Sequence, residues 1–290
     1  MLVSMKEMLN DANEKNYAVL AINCFNLETA RAVVEAAKEK EAPIILNIVQ
    51  EHFEEHAKAE LMGSLVKTLC ENSNIPIALN LDHGKNYESC IYALRYGFTS
   101  LMIDASINSL KENIDITKEV VRLASPIGVS VEGELGHIGS SGNYEKEKQE
   151  NLYTTIDEVE EFFRKTGVDA LAISCGTAHG LYESGVEPII NFELIKKIKN
   201  KVQKPLVLHG GSGAGEGNIR RAVLCGINKI NVGADIFKAG RVKIYSELKE
   251  NSKADLFDLM KKMEAACKNE ILRYIELSGS KGQGNNFKNV

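Results

Sequence analysis

No apolar run in these 290 residues reaches the roughly 20 residues needed to span a bilayer. The opening stretch, MLVSMKEMLNDANEKNY, interleaves charges with apolar positions. It has no signal-peptide core, so no secretory leader is expected. Neither charge sign is in marked excess: 35 Lys and Arg against 40 Asp and Glu give a formal net charge of -5. That balance makes no case for nucleic acid or a membrane surface as partner. No Cys-x-x-Cys pair occurs. Cys24, Cys70, Cys90, Cys175, Cys225 and Cys267 stand far apart, which argues against a cysteine zinc site and reads as reduced thiols in the cytoplasm. Low-complexity tracts, linkers and composition breaks are also missing, so residues 1–290 read as one domain.

What is present is an alternation. Hydrophobic residues make up 44% of the chain and charged residues 26%, the balance of a globular protein with a sizeable core. Short apolar runs recur at 17–23, 42–49, 75–81, 98–104, 128–134, 168–174, 205–209 and 227–232. Both faces of these runs look apolar, as expected of buried strands. Between them lie amphipathic stretches. LETARAVVEAAKEK, 27–40, sets Ala30, Val33, Val34 and Ala37 on one stripe. SLKENIDITKEVVRLA, 109–124, does the same with Leu110, Ile114, Ile116, Val120 and Val121. TIDEVEEFFRKTG opens on a threonine cap, carries acids in its first turn and stops at Gly167. Strands and helices in strict alternation over this length predict a (β/α)8 TIM barrel. A doubly wound sheet is the alternative, but it favours a Gly-x-Gly-x-x-Gly turn after its first strand, where this chain reads INCFNLE.

In such a barrel the chemistry collects at the carboxyl ends of the strands. Strand three is predicted to end in Asp82–His83, strand four in Asp104 with Ser106 beyond it, and strand five in Glu132 and Glu134. Strand six leads to His179, strand seven to His209, and strand eight to Asn231. Three histidines from three strands, with one position left open, suit a catalytic zinc ion. His52 and His56 in EHFEEH lack the glutamate of the zincin motif, since Phe53 stands in its place, and read as a solvated helix start or loop. The HGGSG turn at 209–213 and NVGAD at 231–235 read as a phosphate cradle, built from close-approaching backbone and a helix N-terminus. The long polar stretch 135–154 follows a strand and is expected to act as a lid; His137 lies at its mouth.

LDHG at 81–84, GTAHGLY at 176–182, LVLHGGSG at 206–213 and KINVGAD at 229–235 resemble the class II, zinc-dependent ketose-bisphosphate aldolases, the family of fructose-bisphosphate and tagatose-bisphosphate aldolases. The resemblance covers nearly the whole chain. It implies a cytoplasmic lyase of carbohydrate metabolism, such as glycolysis, acting on a small sugar phosphate. It implies zinc on His83, His179 and His209, with Asp82 moving the proton in cleavage and addition. It implies that Gly180, Gly210, Gly211, Ser212, Asn231, Val232, Gly233 and Ala234 hold the dihydroxyacetone-phosphate half. Asp104 and Glu134 match positions that bind a second or displaced metal in relatives. A monovalent cation, Na+ or K+, near the phosphate and a homo-oligomer, dimer or tetramer, are usual in the family.

The chemistry suits those residues. Cleaving the C3–C4 bond of a ketose leaves a carbanion beside a carbonyl, which a Lewis acid stabilises. The C4 hydroxyl must lose a proton as the bond breaks, which is a task for a carboxylate. The chain departs from the family around the substrate. The Gly-x-Glu-Asp element of the loop after strand five is replaced by GSSGNYEKEKQE, where Glu145 and Glu147 are both candidates for exchanging the C3 proton. Ala234 stands where a threonine is usual, and the stretch after strand two does not match. These departures leave the sugar open among fructose 1,6-bisphosphate, tagatose 1,6-bisphosphate and other ketose 1-phosphates. A Schiff-base aldolase would need a lysine at the end of strand six, and DALAISCG has none. Lys229 is expected to cap the barrel or face out. A non-catalytic sugar-phosphate binder would not need Asp82.

Overall fold

The computed structural model describes residues 1–71, 73–136, 153–182 and 186–287. Eight parallel strands close into a barrel in sequence order, each paired with its neighbours and β1 with β8. They are β1 (Val19–Asn23), β2 (Ile44–Val49), β3 (Ile77–Gly84), β4 (Ser100–Ile103), β5 (Ser130–Leu135), β6 (Ala170–Ile173), β7 (Leu206–Leu208) and β8 (Ile227–Val232). This is the predicted (β/α)8 TIM barrel. Each run read as a strand contains one, trimmed by up to about two residues at its start. Two run further than their apolar stretches: β3 continues through the expected Asp82–His83 end to Gly84, and β5 reaches Leu135.

Local chemistry sets the helix ends. Helix α1 (Met5–Lys15) is capped by Ser4, and α2 (Leu27–Lys40) by Asn26 with a reciprocal bond from Thr29. Short α3 (Gln50–Glu55) and α4 (Ala59–Cys70) follow β2. Helix α5 (Tyr87–Arg95) is capped by Asn86, and α6 (Leu110–Ala124) by Ser109 with Glu112. Helix α7 (Ile156–Thr166) has the expected Thr155 cap, closed by Glu158, and ends at Gly167 with φ 75°. Helices α8 (Phe192–Val202), α9 (Glu216–Leu224), α10 (Ala234–Glu250) and α11 (Leu256–Ser278) complete the ring.

Strand alternation divides the interior into two apolar clusters. Leu20, Ile22, Ile44, Leu46, Ile77 and Leu79 face outward and pack under the helices. Val19, Ala21, Ile45, Ala78, Ala170 and Val207 face inward, where α1 inserts Met5, Met8 and Leu9 from below. Above that floor the inward face is polar, contrary to the reading that both strand faces are apolar. Asn47, Asn80, Ser100 and Ser130 occupy paired register positions across β2 to β5 and are fully or almost fully buried. Two bonds link them, Asn80 donating to Asn47 at 3.0 Å and Ser130 to Ser100 at 2.9 Å, while Asn47 Nδ2 and Asn80 Oδ1 have no hydrogen-bond partner among the described residues. This layer lifts the chemistry to the carboxyl-terminal mouth. All six cysteines are buried and unpaired.

Candidate active site

A cavity of about 710 Å³ opens at the carboxyl ends of the strands. Asp82 and His83 both line it, although successive strand residues normally face opposite ways. The reason is local. His83 takes a left-handed φ of 50°, and the β3–β4 register shifts between Leu81 and Gly84. A left-handed non-glycine residue costs roughly 1–2 kcal/mol, so the surrounding packing must hold it there. Gly84 permits the turn: a Cβ there would lie 2.7 Å from the Met102 carbonyl oxygen.

The three histidines predicted as ligands converge. Ring centroids of His83 and His179 are 4.9 Å apart, those of His83 and His209 4.9 Å, and those of His179 and His209 5.5 Å. One nitrogen from each ring lies within 4.8 Å of the others. His83 Nε2 and His209 Nδ1 face each other at 3.2 Å. A tetrahedral zinc ion with imidazole ligands needs nitrogens about 3.3 Å apart, so this pair fits one. The far nitrogens are held by carboxylates: His83 Nδ1 lies 2.9 Å from Asp104 Oδ2, and His209 Nε2 lies 2.9 Å from Glu132 Oε1. Such carboxylate–imidazole pairs orient metal-binding rings. Glu134 Oε2 is buried without a hydrogen-bond partner among the described residues. With His83 and Asp104 it forms a second group of metal-ligand geometry, the set expected for a displaced ion. The donor set therefore fits a divalent metal.

Titration of these groups is strongly perturbed. Burial lowers His179 to about 3, aided by the other two imidazoles. Burial likewise holds His209 well below the usual histidine range. Burial also works against a charged His83, but Asp82, Asp104 and Glu134 outweigh it and raise its pKa to about 9. Burial and the Asp104 charge push Glu134 up to about 8. Asp104 goes the other way: burial opposes its ionisation, yet hydrogen bonds from His83 and Ser106 hold it well below the usual carboxylate range.

Asp82 is 2% exposed. Its Oδ1 accepts from Asn231 Nδ2 at 3.1 Å and its Oδ2 from Asn23 Nδ2 at 3.4 Å. Two amides from β1 and β8 thus aim the carboxylate beside the imidazole trio. The cradle residues fall around the same cavity. Gly180, Gly210, Ser212, Asn231, Gly233 and Ala234 line it, whereas Gly211 and Val232 do not. Val232 sends its side chain into the outer core, so only its backbone is free to meet a ligand. Gly210 has φ 66°, and a Cβ on it would strike the Ala178 carbonyl oxygen. Ser212 Oγ accepts from the Gly233 and Asp235 amides, both at 3.2 Å, at the start of α10. Asp235 Oδ2 takes the Gly213 amide at 2.9 Å and the Tyr274 hydroxyl at 2.5 Å, bracing the turn from behind.

Two expectations need correction. His52 does lie in the first turn of a helix, but it is half-buried and not simply solvated: its ring packs edge-on against Phe25 at 5.3 Å and tilts over Phe237 at 6.0 Å, while His56 is exposed as expected. Lys229 neither caps the barrel nor faces out. It is fully buried inside it, with Nζ 2.7 Å from Glu132 Oε2. Sequence reasoning missed Lys229 and Asn23 as parts of the site, and the link from Glu132 to His209. Parity held the signal, because Lys229 is two residues before Asn231 and pairs in register with inward-facing Val207. His137, Glu145, Glu147 and most of the expected lid lie outside the described residues.

Comparison with known proteins agrees with this geometry. The family model described as fructose-bisphosphate aldolase class-II matches residues 3–283. A fructose-bisphosphate aldolase of Geobacillus stearothermophilus is 42% identical over 236 residues, 81% of each chain. The uncharacterized protein YdjI of Escherichia coli K12 is 36% identical over 283 residues, 98% of this chain and 99% of its own. The crystal structure described as the YdjI aldolase superposes with a TM-score of 0.87 at 34% identity, covering 98% of this chain and 100% of that one. A fructose-bisphosphate aldolase from Campylobacter jejuni, at 21% identity and TM-score 0.82 over 97% and 96% of the two chains, shares the fold. The chain belongs to the class II fructose-bisphosphate aldolase family.

Proposed function

We propose that this protein is a zinc-dependent aldolase that reversibly cleaves a ketose phosphate, such as fructose 1,6-bisphosphate, into dihydroxyacetone phosphate and glyceraldehyde 3-phosphate. One observation carries the reading: three mutually facing imidazoles, two of which line the cavity, stand beside a carboxylate aimed by two amides and a glycine-rich anion turn that line it as well. His83, His179 and His209 would hold the ion. When bound, it supplies Lewis acidity toward the carbonyl and hydroxyl oxygens of the ketose.

The chain's own residues do the rest. Asp82 takes the C4 hydroxyl proton during cleavage and returns it to the aldehyde oxygen during addition. Asn23 and Asn231 keep its oxygens pointed at that position. The backbone of Gly210, Gly180 and Gly233, with Ser212, receives the phosphate, and the start of α10 adds its N-terminal dipole. Ser212 Oγ now engages two amides that an anion would take over. Asp104 and Glu134 offer an alternate metal position with His83. We further assign the activity to one barrel domain spanning the chain, working as a homo-oligomer in the cytoplasm, with a monovalent cation beside the phosphate. Among the described residues no helix is long and apolar enough to cross a membrane.

Of the other substrates, a ketose 1-phosphate without a second phosphate has its own support, whereas tagatose 1,6-bisphosphate carries the same two phosphates as fructose 1,6-bisphosphate and is separated from it by assay alone. Lys85 is the one lysine or arginine lining the cavity among the described residues, and Glu51 already lies 3.4 Å from its Nζ. A second phosphate finds little unpaired positive charge there. A coupled triose-phosphate assay over a panel of ketose phosphates, with and without chelator and zinc, tests both readings. Chelator-sensitive release of triose phosphate is expected. Chelator-resistant cleavage, or none with any ketose phosphate, would refute the proposal.

A further inference from the structure

We infer that Glu132 and Lys229 are positioning residues that fix the proton on His209; this rests on the reading of His209 as a metal ligand. The three groups form a chain across the barrel interior, from β8 through β5 to the end of β7. Lys229 Nζ lies 2.7 Å from Glu132 Oε2, and Glu132 Oε1 lies 2.9 Å from His209 Nε2. All three side chains have no solvent exposure. None of the three lines the cavity, and of them only His209 reaches the other candidate ligands, its Nδ1 lying 3.2 Å from His83 Nε2.

The chemistry of the contact decides the tautomer. An ionised carboxylate can only accept, so a bare Nε2 would set two lone pairs against each other at 2.9 Å. Nε2 therefore carries the proton, and the Nδ1 lone pair is left facing His83, free to hold an ion. Asn231 Nδ2 also lies 3.2 Å from Nε2, with one N–H given to Asp82 Oδ1 and a second that could only donate; the shorter contact to the charged Glu132 oxygen prevails over it. That amide nitrogen cannot replace Glu132 as acceptor. Lys229 explains why a carboxylate is tolerated at that depth. A buried charge without a partner costs several kcal/mol, and the ammonium is the countercharge. Glu132 thus has one oxygen for neutralisation and one for the imidazole. It does for His209 what the more exposed Asp104 does for His83.

Single substitutions would strand a buried charge, so the test removes both charges together. In Glu132→Leu/Lys229→Met the imidazole loses its acceptor. In Glu132→Gln/Lys229→Met the amide oxygen still accepts from Nε2. Metal-free melting temperatures identify variants that fold. Co2+ affinity, by chelator competition, and the Co2+ visible absorption bands are then read for each, with His83→Ala as reference. The double variant carrying Glu132→Leu is expected to weaken Co2+ binding about 10–100-fold and shift the bands, and the one carrying Glu132→Gln to recover much of both. If His83→Ala abolishes Co2+ binding while both double variants match the wild type, the positioning role falls and the metal reading stands. If wild type takes up no Co2+, or His83→Ala matches it, the metal reading itself falls. Long-range proton–nitrogen correlations of histidine-labelled, zinc-loaded wild type give a check without Glu132 or Lys229 variants, the His209 signals being assigned by their loss in His209→Gln. The Nε2–H tautomer is expected, and an Nδ1–H tautomer at His209 overturns the proposal.

Discussion

Asp82 and His83 are consecutive residues of one strand, yet both point into one cavity, because His83 adopts a left-handed backbone. The arrangement gives the two side chains separable jobs. Asp82→Ala is expected to keep one equivalent of bound metal and the wild-type fold. Its turnover should fall at least about 100-fold, the low end for losing a positioned proton-transfer group. Metal content by elemental analysis and kcat for the same preparation check this. Near-normal cleavage would remove Asp82 from the mechanism.

Stripped of metal, the protein should lose stability as pH rises from 6.5 to 9. The pKa of His83 is raised from 6.5 to about 9, so its stabilising contribution is complete below 6.5 and is lost as pH climbs through 9. Glu134, raised to about 8, favours the fold when protonated and acts in the same direction. His179 and His209 have lowered values, so their contribution is lost as pH falls below 6.5. Melting temperature in chelator should therefore peak near pH 6.5. A curve still rising toward pH 9 would contradict these shifts. By the same linkage, metal uptake at pH 7 should release at least one proton, readable with an indicator dye.

Gly210→Ala puts a side chain at φ 66° and against the Ala178 carbonyl oxygen. The strain is worth about 1–3 kcal/mol and bears directly on the anion turn. A lower melting temperature and a raised KM are expected together. An unchanged KM would show that this turn does not hold the phosphate.

Leu9 sits fully buried among the inward-facing residues at the base of the barrel. Leu9→Ala should cost about 2–5 kcal/mol in chemical denaturation. Because its apolar cluster contains none of the site residues, kcat should stay within about twofold of wild type after allowing for unfolded protein.

Lys229 is the buried lysine that a Schiff-base mechanism would need, but its Nζ is committed to Glu132 and it does not line the cavity. Borohydride added with dihydroxyacetone phosphate should leave no reduced adduct on the chain and no loss of activity. A mass increase at Lys229 would reverse that assignment.

Much of this was legible in the sequence, and the failures have physical causes. The eight strands were readable because their apolar runs were bounded by glycine, proline or charge. The histidine trio was readable because each histidine follows a different strand on one rim. Lys229 was misplaced because a lone lysine in a strand is usually solvated, and its partner Glu132 lies 97 residues away, where no local pattern links them. His52 was misplaced because EHFEEH looks polar, while the rings that cover it, Phe25 and Phe237, come from the ends of other elements. The backbone twist at His83 has no composition cue, since left-handed positions are normally given to glycine or asparagine.

Met5, Met8 and Leu9 seal the base of the barrel beneath the polar layer. On the proposed reading of the cavity, substrate and products would pass through its mouth at the carboxyl ends of the strands, the one doorway among the described residues. Whichever fragment of the cleaved sugar lies nearer that doorway has to depart before the deeper one can follow, so the architecture imposes an order of release that the bond-breaking chemistry alone does not.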